Sequence, residues 1–195
     1  MNLPGSEGEH RLQEQYKTKE RAQAFYEQQV RDYLNAPMRE FIARQPMVFV
    51  ATADGKGECD CSIRTGDPGF VQVLDAQTLL YPEYRGNGVL ASLGNILENP
   101  HIGMIFVDFF QTTRGLHVNG YADIKSGEEV RAIFQDRGRA EPQHPAGKTP
   151  ERWVIVRVEE AYIHCSKNIP HLQLVETPEE KGSDSGQDAG FFREK

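Results

Sequence analysis

Residues 47–74 read MVFVATADGKGECDCSIRTGDPGFVQVL. The run 47–53 is rich in β-branched and aromatic residues and predicts a strand. Asp54-Gly55-Lys56-Gly57 predicts a hairpin turn, and Glu58 to Thr65 the return strand. Gly66-Asp67-Pro68-Gly69 is a second turn, leading into FVQVL (70–74), and Asp75-Ala76-Gln77 turns into TLLYP (78–82). Connections this short permit antiparallel pairing only. Four such strands predict a meander that opens a sandwich or barrel.

Outward from this stretch the pattern alternates between helix and strand. The chain from His10 to Leu34 is polar, with apolar residues at roughly helical spacing and one wet face. Asn35 is placed to cap a second helix, with Pro37 in its first turn and Met38, Phe41 and Ile42 on one face. A helix from Val89 to Glu98, with Leu90, Leu93 and Leu97 as its apolar stripe, stops at Asn99-Pro100. HIGMIFVDFF (101–110) and GLHVNGYADI (115–124) predict two strands. The second puts His117, Asn119, Tyr121 and Asp123 on one side and Leu116, Val118, Gly120, Ala122 and Ile124 on the other. Ser126 and Glu129 form a capping-box signature before another helix. A proline-bearing loop (136–150) leads to a last long strand, WVIVRVEEAYIHC (153–165).

The expected class is α+β and mainly antiparallel. We expect a six- to seven-stranded closed or split β-barrel with peripheral helices. Residues 1–37 read as an N-terminal helical extension, 38–175 as the barrel domain and 176–195 as a flexible acidic tail.

Composition narrows the partners. A net charge of −7 with scattered basic residues argues against nucleic acid. No apolar run reaches membrane-spanning length and the start has no apolar signal core, so a cytoplasmic location is expected. Three cysteines are too few and too unevenly spaced for a disulfide framework. Cys59 and Cys61 share one strand face, at or beyond comfortable disulfide reach. No further soft ligands complete a metal site, so they read as buried thiols serving as small hydrophobes.

Two places can carry chemistry. Asp60, Ser62 and Arg64 share the opposite strand face, which is either solvated or lines a site. LLYPEYRGNGVLASLGN (79–95) runs from a strand through Tyr84-Arg85-Gly86-Asn87-Gly88 into a helix. Free N–H groups at such a helix start favour an anion. Arg85 adds a charge-assisted donor, and Asn87 and Ser92 add neutral ones. The alternative is an ordinary glycine-rich turn, since neither the P-loop nor GxGxxG is present. Arg114 and Lys167 by themselves read as strand-end charges. No HExxH and no GxSxG occurs, so hydrolase chemistry has no positive support.

Four motifs in order, from about Met38 to Lys167, resemble the pyridoxamine 5′-phosphate oxidase-like family of FMN-binding split barrels. They are CDCSIR, TLLYPEYRGNG, LGNILENPHIGMIFVDF with its Asn95, and RGLHVNGYADI. The resemblance implies a homodimer with FMN at the subunit interface. The flavin phosphate would lie by Arg64 and the Tyr84-Arg85-Gly86-Asn87 turn, with Asp60, Ser92 and Asn95 in the same set. Ser62, Phe70 and Val71 would lie near the flavin, and Arg114, His117 and Lys167 would approach from the partner. His117 and Tyr84 are the candidate proton donors. The phosphate-turn lysine, a glutamine where Gly115 stands, and the C-terminal Trp-Arg-Pro-Gly-Arg motif of the oxidase proper are absent. The expectation is therefore an FMN-dependent oxidoreductase acting on a small molecule other than pyridoxamine phosphate. The alternatives are a non-catalytic flavin-binding or sensing dimer, or the same barrel carrying deazaflavin or haem.

Overall fold

The computed structural model describes residues 4–142, 144 and 149–175; the acidic tail expected from Glu176 lies outside them. Two helices, α1 (Glu7–Gln15) and α2 (Lys19–Gln29), form the N-terminal extension, separated at Lys17, whose φ is +57°. Neither buries a residue fully, as their polar composition requires. Arg31 then exchanges backbone hydrogen bonds with Ala161, and Phe25 meets Tyr162 edge-on at 6.0 Å. The extension is thus pinned to the last strand of the barrel.

Helix α3 (Ala36–Ala43) starts as its sequence predicts: the Asn35 side chain accepts from the Met38 N–H at 3.0 Å, and Ile42 is fully buried. Strands β1 (Met47–Ala53) and β2 (Cys59–Thr65) form the predicted hairpin. Strand β3 is only Gln72–Val73, and β4 is Thr78–Glu83. Helix α4 (Ala91–Glu98) precedes β5 (His101–Val107) and β6 (Gly115–Lys125). Helix α5 (Gly127–Asp136) carries the full Ser126/Glu129 capping box, and β7 (Arg152–His164) completes one antiparallel sheet.

The sheet order is β2-β1-β5-β6-β7-β4-β3, so the four-stranded meander is corrected. β1–β2 and β3–β4 are separate hairpins at opposite ends of the sheet. The segment 66–71 does not make a tight hairpin. Phe70 folds back over Gly66, where an added Cβ would fall 2.6 Å from the Phe70 Cβ, and its N–H reaches the Asp67 carbonyl. The chain thereby crosses from one sheet end to the other. The sheet curls until β2 and β4 face each other without a ladder between them. This is the seam of a split barrel, bridged by side chains and by α4.

Apolar residues of β1, β4, β5, β6 and β7 fill the interior, among them Val50, Leu79, Met104, Val118 and Val156. A smaller cluster of Leu80, Val130, Phe134 and Trp153 lies under α5. β4 and β7 are buried on both faces along part of their length, which explains why TLLYP and WVIV read as continuous apolar runs.

Two expectations about faces are reversed. Cys59 and Cys61 are exposed, with Ile63 and Thr65, while Asp60, Ser62 and Arg64 point to the half-buried side. Alternation ties each set to one face but does not say which face is inside. In α4 the stripe is not Leu90, Leu93 and Leu97. Leu90 and Leu97 are exposed, and Ser92 and Ile96 are buried instead.

Candidate functional site

At the seam a cleft of about 570 Å³ opens between β2, the end of β4, the 84–90 turn and α4. Seven of the predicted residues line it: Asp60, Ser62, Arg64, Tyr84, Gly86, Asn87 and Ser92. The sequence separates the β2 residues from α4 by about one hairpin and a crossing segment, and the curl of the sheet brings them together.

Arg64 is the hub. Its Nε and Nη2 both reach Glu83 Oε1 at 2.8 Å. Nη1 donates to Ser62 Oγ at 2.8 Å and to the Ile63 carbonyl at 3.2 Å, and Nη2 also reaches Ser92 Oγ at 3.3 Å. Ser92 Oγ in turn donates to Asp60 Oδ2 at 3.3 Å, and lies 3.2 Å from Ser62 Oγ. One network therefore ties β2, β4 and α4 across the seam. Burial raises the Glu83 carboxyl above the usual range, and Arg64 only partly opposes this.

Glu83 was not among the expected site residues. It sits at the end of TLLYPE, where it reads as a strand-end charge. The available signal was its spacing: Leu79, Tyr81 and Glu83 alternate onto one face of β4, so a buried Tyr81 predicts an inward Glu83.

Above this network lies the start of α4. Leu90 takes a left-handed conformation, with φ of +58°, and no side chain caps the helix. The Asn87 side chain is turned onto the Val89 N–H at 3.0 Å. Ala91, Ser92 and Leu93 line the cleft, and their N–H groups, the first of α4, have no protein acceptor among the described residues. Gly86 and Gly88 keep this approach open, as a Cβ on either would meet nothing within 4 Å. Gly88 also needs its freedom, at φ of +84°. Arg85 points into solvent, 88% exposed, with Glu151 Oε1 at 3.9 Å. Tyr84 leans on His144, hydroxyl to Nδ1 at 3.3 Å; burial, and then the charge of Asp67, raise its hydroxyl. Arg152 and Glu151 close the far wall.

The remaining predicted residues do not line this cleft. Val71 is buried in the core and Phe70 packs beside it. Asn95 donates to Thr52 Oγ1 at 3.1 Å from the inner face of α4. Arg114 and Lys167 are exposed at the ends of their segments. His117 lies on the outer barrel face, stacked on Tyr162 at 4.7 Å, with Nε2 at 2.8 Å from His164 Nδ1. Burial, and then the charge of His164, lower its pKa.

Beneath the Arg64–Glu83 pair sits Tyr81, fully buried, with a hydroxyl that has no hydrogen-bond partner among the described residues. Burial and the Glu83 charge both raise its pKa, so it stays protonated. An unpaired buried hydroxyl carries a desolvation penalty. Tyr81→Phe should therefore leave stability unchanged or raise it by up to about 1 kcal/mol in urea denaturation. A loss larger than that would mean the hydroxyl has a partner in solution, such as a bound water.

Known proteins give one family match and several remote structural likenesses. A search of curated protein sequences found no match. Among solved structures, HupZ from Group A Streptococcus is 23% identical, covering 71% of this chain and 98% of its own, with a TM-score of 0.49. HutZ, the haem storage protein from Vibrio cholerae, is 14% identical over 67% of this chain and 94% of its own, with a TM-score of 0.41. An F420 reductase is 19% identical over 63% of this chain and 94% of its own, with a TM-score of 0.42. The family model described as pyridoxamine 5′-phosphate oxidase matches residues 34–165. That span is more than half of the chain and contains every strand of the sheet and the whole seam cleft, so the protein belongs to the pyridoxamine 5′-phosphate oxidase family.

Proposed function

We propose that this protein binds FMN and acts as an FMN-dependent oxidoreductase on a small molecule other than pyridoxamine phosphate. The observation that carries the reading is the donor set of the seam cleft. Uncapped N–H groups of α4, two glycines and the Ser62 and Ser92 hydroxyls converge on one opening. That chemistry suits a phosphate monoester. Arg85, exposed and in a long 3.9 Å ion pair with Glu151, can swing onto the same group. When bound, the flavin supplies hydride and electron transfer. The chain supports it by gripping the phosphate and keeping Tyr84 protonated as a donor.

We extend the proposal to a homodimer. Ile63, Phe49, Ile105, His117 and Tyr162 form one cross-strand row on the outer barrel face. Ile63 is 47% exposed, and Val89, Leu90 and Leu97 are exposed on and near α4. Covering these with a second copy removes exposed apolar side chains from water. In that arrangement Arg114, His117 and Lys167 act on the neighbouring chain's cofactor.

The test is a fluorescence-quenching titration with FMN, together with the visible spectrum of the purified protein. A flavin spectrum and saturable quenching are expected; a deazaflavin or haem spectrum, or no uptake of FMN, rejects the reading. Arg85→Ala should weaken FMN binding roughly tenfold, the low end for losing a charge-assisted hydrogen bond. Riboflavin, which lacks the phosphate, should not respond to that substitution.

A further inference from the structure

Arg64 looks like a phosphate ligand but has no donor to offer one. A guanidinium carries five N–H groups. Here Nε–H goes to Glu83, the two on Nη1 go to Ser62 Oγ and the Ile63 carbonyl, and the two on Nη2 go to Glu83 and Ser92 Oγ. An anion that uses Arg64 must first displace one of these acceptors. The one a phosphate can replace like for like is Glu83, the only anion among them. Both of its contacts fall on one oxygen, Oε1, not on the two oxygens of a parallel fork. Its Oε2 has no hydrogen-bond partner among the described residues, and Glu83 lines the cleft.

We propose that Glu83 is an internal stand-in for the ligand's phosphate: it holds the Arg64 fork until a phosphate group enters, then yields the fork and takes up a proton. The proposal rests on the phosphate reading of the cleft given above. The balance is simple. The carboxylate plus one proton from solvent becomes the neutral acid, and the phosphate replaces it as the acceptor for Nε–H and Nη2–H. No bond other than O–H is formed.

The surroundings support the exchange. The charged groups on the cleft walls are Arg64 and Asp60 from β2, Glu83 from β4, and Glu151 and Arg152 from the start of β7, with exposed Arg85 beside Glu151. Arg152 is the cross-strand neighbour of Glu83. Tyr81, one pleat further in on β4, is neutral. Three cations thus meet three carboxylates, so an arriving phosphate adds uncompensated negative charge. Protonating the most buried carboxylate relieves it. Glu83 is already disposed to this, because burial raises its carboxyl more than Arg64 lowers it. The Tyr81 hydroxyl, on the same face of β4, has no hydrogen-bond partner among the described residues.

The experiment is isothermal titration calorimetry of the full chain with FMN, and with inorganic phosphate as a second probe. It is run at about pH 7 in two buffers of different ionisation enthalpy, on the wild type and on Glu83→Gln. Most phosphate monoester is already dianionic there, with a second pKa near ~6. The wild type should take up about one proton per ligand, and the variant about one fewer. Glu83→Gln keeps an oxygen for Arg64 but removes the competing charge, so it should bind FMN about tenfold more tightly than the wild type. Its affinity should also lose the roughly tenfold gain per pH unit that uptake of one proton confers. Riboflavin binding should not change.

Weaker or equal FMN binding by Glu83→Gln, with the same proton uptake as wild type, overturns the stand-in while leaving FMN binding intact. Proton-linked binding of inorganic phosphate without FMN binding supports the stand-in and rejects the flavin. Binding of neither probe rejects both. The wild-type proton count reads the exchange even if the variant folds poorly.

Discussion

Gly120→Ala will destabilise the barrel by roughly 3 kcal/mol or more, at the upper end for inserting a methyl into packed structure. The reason is local. β6 and β7 pair in register until Asn119 meets Glu160; Gly120 then faces Val158, leaving Glu159 as the extra residue of a bulge. At the bulge the backbones close up. A Cβ on Gly120 would sit 2.0 Å from the Arg157 carbonyl oxygen and 2.9 Å from its carbon. Those are main-chain atoms and cannot rotate away, so the longest strand pair in the sheet must part. For a chain of this length the loss corresponds to a fall in Tm of roughly 6–12 °C. Gly103→Ala is the control on the neighbouring strand. Its Cβ would meet the Asn119 side-chain oxygen at 3.4 Å and the Ala51 Cβ at 3.9 Å, ordinary contacts at side-chain ends. It should cost under about 1 kcal/mol. Equal melting of the two variants would show that the bulge opens without penalty.

The same bulge marks a limit of what residue patterns reveal. Alternation in GLHVNGYADI assigned the two faces of β6 correctly, because Leu116, Val118 and Ala122 are buried. It said nothing about Gly120 lying against a backbone. Element ends were legible wherever a residue has one physical use. Asn35 caps α3, Ser126 with Glu129 caps α5, and Asp54-Gly55 closes the first hairpin. Strand neighbours were not legible. Short connections fix pairing direction, but 66–71 is a crossing, and only the observed order β2-β1-β5-β6-β7-β4-β3 reveals that.

The inversion of β2 has a similar cause. Hydrophobicity alone put Cys59 and Cys61 inward. The outcome was decided by Glu83, 19 residues beyond Arg64, which draws Arg64 to the interior and carries Ser62 and Asp60 with it. Helix α4 follows the same logic. Ser92 is buried at 5% exposure because it joins the Arg64 network, and the turn geometry that allows this leaves Leu90 and Leu97 in solvent. The cleft residues from Asp60 to Ser92 were readable as chemistry. Their organisation around an ion pair was not, because the second partner reads as a strand-end charge.

Arg64→Ala is the second substitution with a large expected effect, and its pH dependence is the informative part. At about pH 8 it should cost roughly 3–5 kcal/mol, the usual result of leaving one member of a buried pair uncompensated. The Arg64 and Glu83 side chains are only 20% and 11% exposed, so water cannot take over. The sign follows from Glu83. With the arginine present, burial already raises its carboxyl; without it, the opposing influence is gone and the carboxyl rises further. A group whose folded-state pKa lies above its unfolded value supports folding at low pH and loses that support as pH climbs through the folded value. The deficit of Arg64→Ala against wild type should therefore be largest at about pH 8 and shrink towards about pH 5, where Glu83 takes a proton at little cost. Removing both partners, as in Arg64→Met with Glu83→Leu, should recover most of the loss at the higher pH, because no unpaired charge remains. Urea denaturation of the wild type, the single variant and the double variant at both pH values measures all of this. A deficit that is flat with pH, or a double variant no more stable than Arg64→Ala, would mean that the lost hydrogen bonds to Ser62 and Ser92 dominate, and that the seam is held by α4 docking and not by the buried pair.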